Sequence, residues 1–243
     1  MNALDMQKVS AFVNQNIGEF HKSRLEKIRS LKLDKVLRRK NPYLFRAKNI
    51  DSAAELITLI LDATLSSSEE SIFGQFLEEV AVYVNELACN GQKSSSPGID
   101  LDFTNDSVRY LVAIKSGENW GNSSQKNRLK QDFANALRVV RQSRRVGELH
   151  AILGICYGKG RQIDRGNYQE IVGQKFWEFI SGDPDLYLKI IDSLGYEAEQ
   201  QNSLFEAQKL NVYQQFTEQF IQAFCHEDGQ IDWDKLVRFN SGN

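Results

Sequence analysis

The chain has 243 residues, with 30 Lys plus Arg against 32 Asp plus Glu, a formal net charge of −2 and 41% apolar residues. That apolar share excludes a disordered chain, there is no collagen-like or low-complexity bias, and the near-neutral sum carries no nucleic-acid signal by itself. Cys89, Cys156 and Cys225 are scattered without a CxxC pair, no apolar run approaches the ~18 residues of a membrane span, and no signal-peptide pattern opens the chain, so a reduced, soluble cytoplasmic protein is expected.

Residues 3–39 read as helix, with Val9, Phe12, Val13, Ile17 and Phe20 at three- and four-residue spacing, ended by Asn41-Pro42. A second helix runs from Ser52, a capping-box residue with Glu55, to Thr64. Ser66-Ser67-Ser68 interrupts, and a third helix, Ser68–Asn90, carries a broad apolar face through Ile72, Phe76, Val80 and Val84. A polar loop, Asn90–Gly98, precedes two β-rich runs. The first, Ile99–Phe103, alternates apolar and acidic residues, and the second is Val108–Ser116; a turn at Thr104–Ser107 makes them hairpin neighbours. A Gly/Asn/Ser loop, Gly117–Gln125, leads into a helix, Gln125–Arg144, then a buried-looking strand, Leu149–Tyr157, and the basic turn Gly158–Arg161. Ile171–Ser181 leads through strand or loop into helix, and further helices cover Asp185–Leu194, Gln200–Cys225 and Asp232–Phe239. The order predicts an α/β or α+β fold, a small mixed sheet in a helical shell.

Charge is segregated. Lys22–Lys48 holds eleven basic residues against Glu26 and Asp34, and Lys115–Arg165 eleven against four acids, whereas Asp183 onward holds eleven acids against four bases. The basic segment Lys22–Lys48 reads equally as a solvated face or as a phosphate- or partner-facing arm. The helix from Lys126 to Arg145 offers Lys126, Arg128, Lys130, Arg138, Arg141, Arg144 and Arg145 against Asp132, a face suited to phosphates or simply to water.

The stretch that carries chemistry is Asp100 to Lys115. Adjacent strands place a carboxylate and an ammonium at one sheet edge. The carboxylate is a hard oxygen ligand suited to Mg²⁺, and the lysine can orient or deprotonate an attacking water and offset phosphate charge. Asp102, two residues beyond Asp100, is expected on the same sheet face. Asn119, Asn122, Ser123, Ser124 and Gln125 in the following loop can reach phosphates or base edges, Trp120 can stack or pack, and Lys93 and Ser94 precede Asp100 in a loop that can line the same cleft. Arg128, Lys159 and Arg161 supply further cations. Gly158-Lys159-Gly160 is too short for a P-loop. Cys156, His150, Phe176, Trp177 and Phe179 read as structural.

Pro97-Gly98-Ile99-Asp100 followed by Ala113-Ile114-Lys115 resembles the PD-(D/E)XK nuclease core, and Gly74-Gln75-Phe76-Leu77-Glu78 resembles the helix that often supplies its additional acid. Ile114-Lys115-Ser116-Gly117, Asn119–Gln125, Tyr157-Gly158 and Phe176-Trp177 are similar to type II restriction endonucleases of the PmeII-like group, over roughly residues 42–195. The departure is Ala113, where the family carries an acid; Glu78 is the first candidate to replace it, then Asp102, with Glu79 and Glu70 behind.

The resemblance implies a Mg²⁺-dependent, sequence-specific endonuclease for double-stranded DNA that leaves 5′-phosphate and 3′-hydroxyl ends, with Asp100, Glu78 and Asp102 toward the metal and Lys115 toward the water. It also implies a homodimer with two-fold symmetry on a palindromic site. The expected organisation is an N-terminal helical arm (1–41), a nuclease core (42–195) and a C-terminal helical extension (196–243) packed on it. Two other readings stay open: an inert DNA-binding module disabled by Ala113, and a structure-specific repair or resolvase nuclease.

Overall fold

The computed structural model describes residues 1–142, 147–195 and 198–242. Its helices are α1 (Met6–Arg29), α2 (Leu33–Leu37), α3 (Pro42–Ala47), α4 (Ala53–Cys89), α5 (Ser123–Arg141), α6 (Gln174–Ser181), α7 (Leu186–Leu194), α8 (Ala198–Phe224) and α9 (Trp233–Ser241). Its strands are β1 (Gln92–Lys93), β2 (Leu101–Asn105), β3 (Val108–Lys115), β4 (Glu148–Ile155), β5 (Arg161–Asp164) and β6 (Gln169–Val172). They form one mixed sheet in the order β1-β2-β3-β4-β6-β5, so the α/β expectation holds.

The centre of the sheet is built as its residues require. β2 and β3 pair antiparallel across the short turn, while β3 and β4 run parallel, a pairing that needs the crossover supplied by α5. Leu111, Val112, Ala113 and Ile114 are buried in succession on β3, the mark of a strand covered on both faces. On one face, Leu129, Phe133, Ala136 and Val140 of α5 close over Ile99, Leu111, Ala113 and Leu153. On the other, Phe103 and Tyr110 meet Phe179 of α6 in edge-on ring contacts.

The chain divides into two compact units. One comprises Met1–Gly18 with Phe73–Tyr196, and the other Glu19–Ile72 with Glu197–Asn243. The first holds the sheet. The second is helical, and its own core joins Ile28, Leu33, Val36 and Leu37 to Leu56, Ile60, Phe216, Phe220 and Leu236. One boundary falls between residues 196 and 197; the others fall inside α1 and α4.

Several elements differ from the sequence reading. The expected helix 3–39 breaks at Lys32, which is extended at φ −128°, ψ 129°, before α2. Asn41-Pro42 starts a helix as well as ending one: the Asn41 side chain accepts from the Leu44 amide, and Pro42, lacking an N–H, takes the first helical position. Ser66-Ser67-Ser68 does not interrupt α4. Thr64, Ser68 and Ser71 each donate a hydroxyl to a backbone carbonyl three or four residues back, and the helix absorbs them. The first β-rich run begins at Leu101, not Ile99, which leaves Asp100 just ahead of the strand. β1 and β5 lack apolar alternation and were not expected.

Candidate active site

Asp100 is held by the hairpin it precedes. Its amide donates to the Val112 carbonyl at 2.9 Å, and its Oδ2 accepts from the Ile114 amide at 2.6 Å. β2 and β3 pair with Leu101 opposite Val112, so continuing the register by one place sets Asp100 opposite Ala113. Burial pushes the Asp100 carboxyl above its ordinary range; the Ile114 amide, Lys115 and Lys93 pull the other way without cancelling it. Lys115 ends β3. Its Nζ donates to the Ile114 carbonyl at 2.8 Å and lies 3.9 Å from Asp100 Oδ2.

Glu78 arrives from α4, and Gly74 explains how. A Cβ at Gly74 would lie 3.2 Å from Ser116 Oγ, tighter than ordinary contact, so the missing side chain lets the helix approach the end of β3. Glu78 follows one helical turn later on the same face. Its carboxyl is also raised, first by burial and then by the Asp100 charge, against the opposing pull of Lys93 and Lys115. Lys93 Nζ stands 3.8 Å from Glu78 Oε1. Two carboxylates and two ammoniums therefore meet at one end of the β2–β3 hairpin, and Lys93, expected among DNA contacts, is a member of that cluster.

Asp102 is not brought into it. Arg109 takes both of its oxygens, Nε to Oδ1 at 2.9 Å and Nη2 to Oδ2 at 2.6 Å, a fork that satisfies the carboxylate. The pairing keeps Asp102 on the face of Asp100, opposite Leu111 as Asp100 is opposite Ala113, but Arg109 on that face already holds it. Hairpin register was the missing signal, since it sets Arg109 one step diagonally from Asp102. Ala113 is completely buried beside Leu111, Leu129, Phe133 and Leu153, so a carboxylate there would enter an apolar cluster. Glu79 accepts from Gln75 at 3.2 Å, and Glu70 belongs to the helical unit.

The donor set fits Mg²⁺. That ion uses one or two carboxylates and otherwise water and phosphate oxygens, which Asp100 and Glu78 match. Among the described residues no group of three or more His, Cys, Asp or Glu is placed to hold a metal, as a closed all-protein site would need.

Around the cluster the expected DNA-facing residues separate by what already holds them. Asn122 and Gln125 form the capping box of α5, each side chain accepting from the other's amide at 3.0 Å. Their –NH₂ groups are left to donate elsewhere. Trp120 packs against the apolar cluster under α5, with Lys115 Nζ 5.9 Å from its ring centre. Ser94 Oγ accepts from the Ser96 amide. Arg161 is bound by Glu118 and Glu170, a pairing invisible in the local motif. Asn119, Ser123, Ser124 and Lys159 are exposed, and Arg128, exposed as well, lies 3.9 Å from Asp132. Ser124 and Arg128 border a hollow of about 720 Å³ along α5, together with the amides of Asn127, Gln131 and Asn135, which the sequence reading passed over. Gly98, at φ +76°, brings the turn before Asp100 against Asp132; a Cβ there would lie 2.5 Å from its Oδ2. Arg144 and Arg145 lie outside the described residues.

Among the described residues no helix is long and apolar enough to cross a membrane. No curated protein matches the chain. A match to the model of the family described as type II restriction endonuclease EcoO109I runs over residues 7–202, taking in the helix that carries Glu78, the strands that carry Asp100 and Lys115, and the helix of the polar hollow. The chain belongs to the type II restriction endonuclease EcoO109I family.

Proposed function

We propose that this chain is a PD-(D/E)XK-type, Mg²⁺-dependent endonuclease that cuts double-stranded DNA at a specific short sequence and leaves 5′-phosphate and 3′-hydroxyl ends. The observation that carries the reading is the meeting of Asp100, Glu78 and Lys115 at one end of the β2–β3 hairpin. Asp100 and Glu78 would hold the metal, with Glu78 taking the part of the acid missing at Ala113. Bound there, Mg²⁺ supplies Lewis-acid stabilisation of the charge that builds on the phosphate. Lys115 orients the attacking water and offsets negative charge in the transition state. The bond from its Nζ to the Ile114 carbonyl fixes where the ammonium head sits. Asn119, Ser123, Ser124, Arg128 and Lys159, free or nearly free at the surface, would meet phosphates and base edges. The chain would act in the cytoplasm as a two-fold homodimer on a palindromic site, so that each copy cuts one strand. The narrower PmeII-like grouping rests on the Ile114–Gln125 motif.

Ala113 favours one second reading, a DNA-binding module without cleavage. Incubating plasmid DNA with the protein and Mg²⁺ separates the two. Discrete fragments, lost in Lys115→Ala, support the endonuclease. Binding without cutting supports the inert module, and full cleavage by Lys115→Ala refutes the assignment of the site.

A further inference from the structure

The helical unit carries a groove of about 580 Å³ whose lining includes Lys27, Lys32, Lys35, Arg39 and Lys40 and no carboxylate. Among the described residues none of the five joins an ion pair. Three nearby acids are occupied or border other surface. Glu69 pairs with Arg24, Asp62 with Lys209, and Asp34 borders a separate hollow. The opposite wall is the serine-rich stretch of α4, where Ser67 and Ser71 present small polar side chains to the groove. Five like charges gathered in one groove repel one another, and among the described residues no ion pair offsets them.

We propose that this groove is a second, sequence-independent binding site for the phosphate backbone of duplex DNA. It rests on the reading of DNA as the substrate, and concerns a surface remote in sequence from the Asp100 cluster. Four of the five cations are lysines, flexible point charges that track phosphates and do not discriminate bases as bidentate forks do. The hydroxyl wall offers small side chains and no negative charge against a phosphate. The groove therefore adds affinity for any duplex, which holds the enzyme on DNA while it searches.

The test measures binding of the full chain to a labelled 30-base-pair duplex by fluorescence anisotropy, without divalent metal, across a salt series. The combined variant Lys27→Gln, Lys32→Gln, Lys35→Gln, Arg39→Gln should flatten the slope of log K against log salt by about 3.5 units and weaken binding at physiological salt at least about tenfold. Ser67→Glu, which places one carboxylate in the groove and leaves every lysine, should weaken it in the same direction by a smaller factor. Circular dichroism melts identify any variant that has unfolded, and Ser67→Glu then stands alone. An unchanged slope and affinity in folded variants overturns the groove. If wild-type protein cuts plasmid DNA in that case, the endonuclease reading survives it. If the wild type neither binds nor cuts any duplex, both readings fall.

Discussion

Two acid–base pairs lie along the same hairpin and behave oppositely. At one end Arg109 grips Asp102 through two hydrogen bonds, and the pair is complete. At the other, Lys115 stops 3.9 Å from Asp100 and spends its hydrogen bond on a carbonyl, while burial and Glu78 crowd the carboxylates. The first pair resembles a staple. The second is unfinished: its ammonium stands off, and burial pushes its carboxyls up. The contrast teaches that proximity of opposite charges along one hairpin does not by itself say how firmly a carboxylate is held.

The largest effect expected is on the unfinished pair. Asp100→Asn should lower Mg²⁺-supported plasmid cleavage by about 10³-fold or more, because on the proposed reading loss of this carboxylate removes several kcal/mol of transition-state stabilisation. Lys115→Ala should cost about 10²–10³-fold, with DNA binding measured in the absence of metal little changed. If Asp102→Asn were the more damaging to the folded enzyme's cleavage rate, the comparison would be inverted. The expectation for the finished pair is structural: Arg109→Ala strands a largely buried carboxylate and should lower stability by about 1–2 kcal/mol, or about 2–8 °C in Tm, with cleavage per folded molecule retained.

The smallest effect is on pH dependence, and its sign follows from the raised carboxyls. Glu78 and Asp100 bind protons more readily folded than unfolded, so their contribution to stability is greatest below the ordinary carboxylate range, from 4.5 for Glu78, and is lost as pH rises through the raised values. Glu78→Gln should therefore melt higher than wild type near neutral pH and lose that advantage in acid, while cleaving less. Adding Mg²⁺ should raise the Tm of wild type near neutral pH more than that of Glu78→Gln, because an ion that binds only the folded state stabilises by mass action.

What the sequence disclosed follows from range. The hairpin, α5 and the helix of Glu78 were legible because apolar periodicity over seven to twenty residues is a local property. The fate of Asp102 was not, since it depends on which residue of the next strand stands diagonally across. Nor was the length of α4, because serine's preference for breaks is reversed when its hydroxyl bonds back to the helix and Leu61 and Leu65 are buried. β1 and β5, of two and four residues, are defined by their neighbours alone. Within the candidate site, the residue types were readable and their existing commitments, Asn122 to Gln125 or Arg161 to Glu118, were not.

The chain passes between its two units three times, and two of those passages fall in the middle of α1 and α4. Genetic exchange trades segments most successfully at exposed loops, where a new junction disturbs little. A crossover at residue 18 or 72 would have to rejoin two half-helices in register. Replacing one unit by another would therefore have to cut and rejoin both α1 and α4.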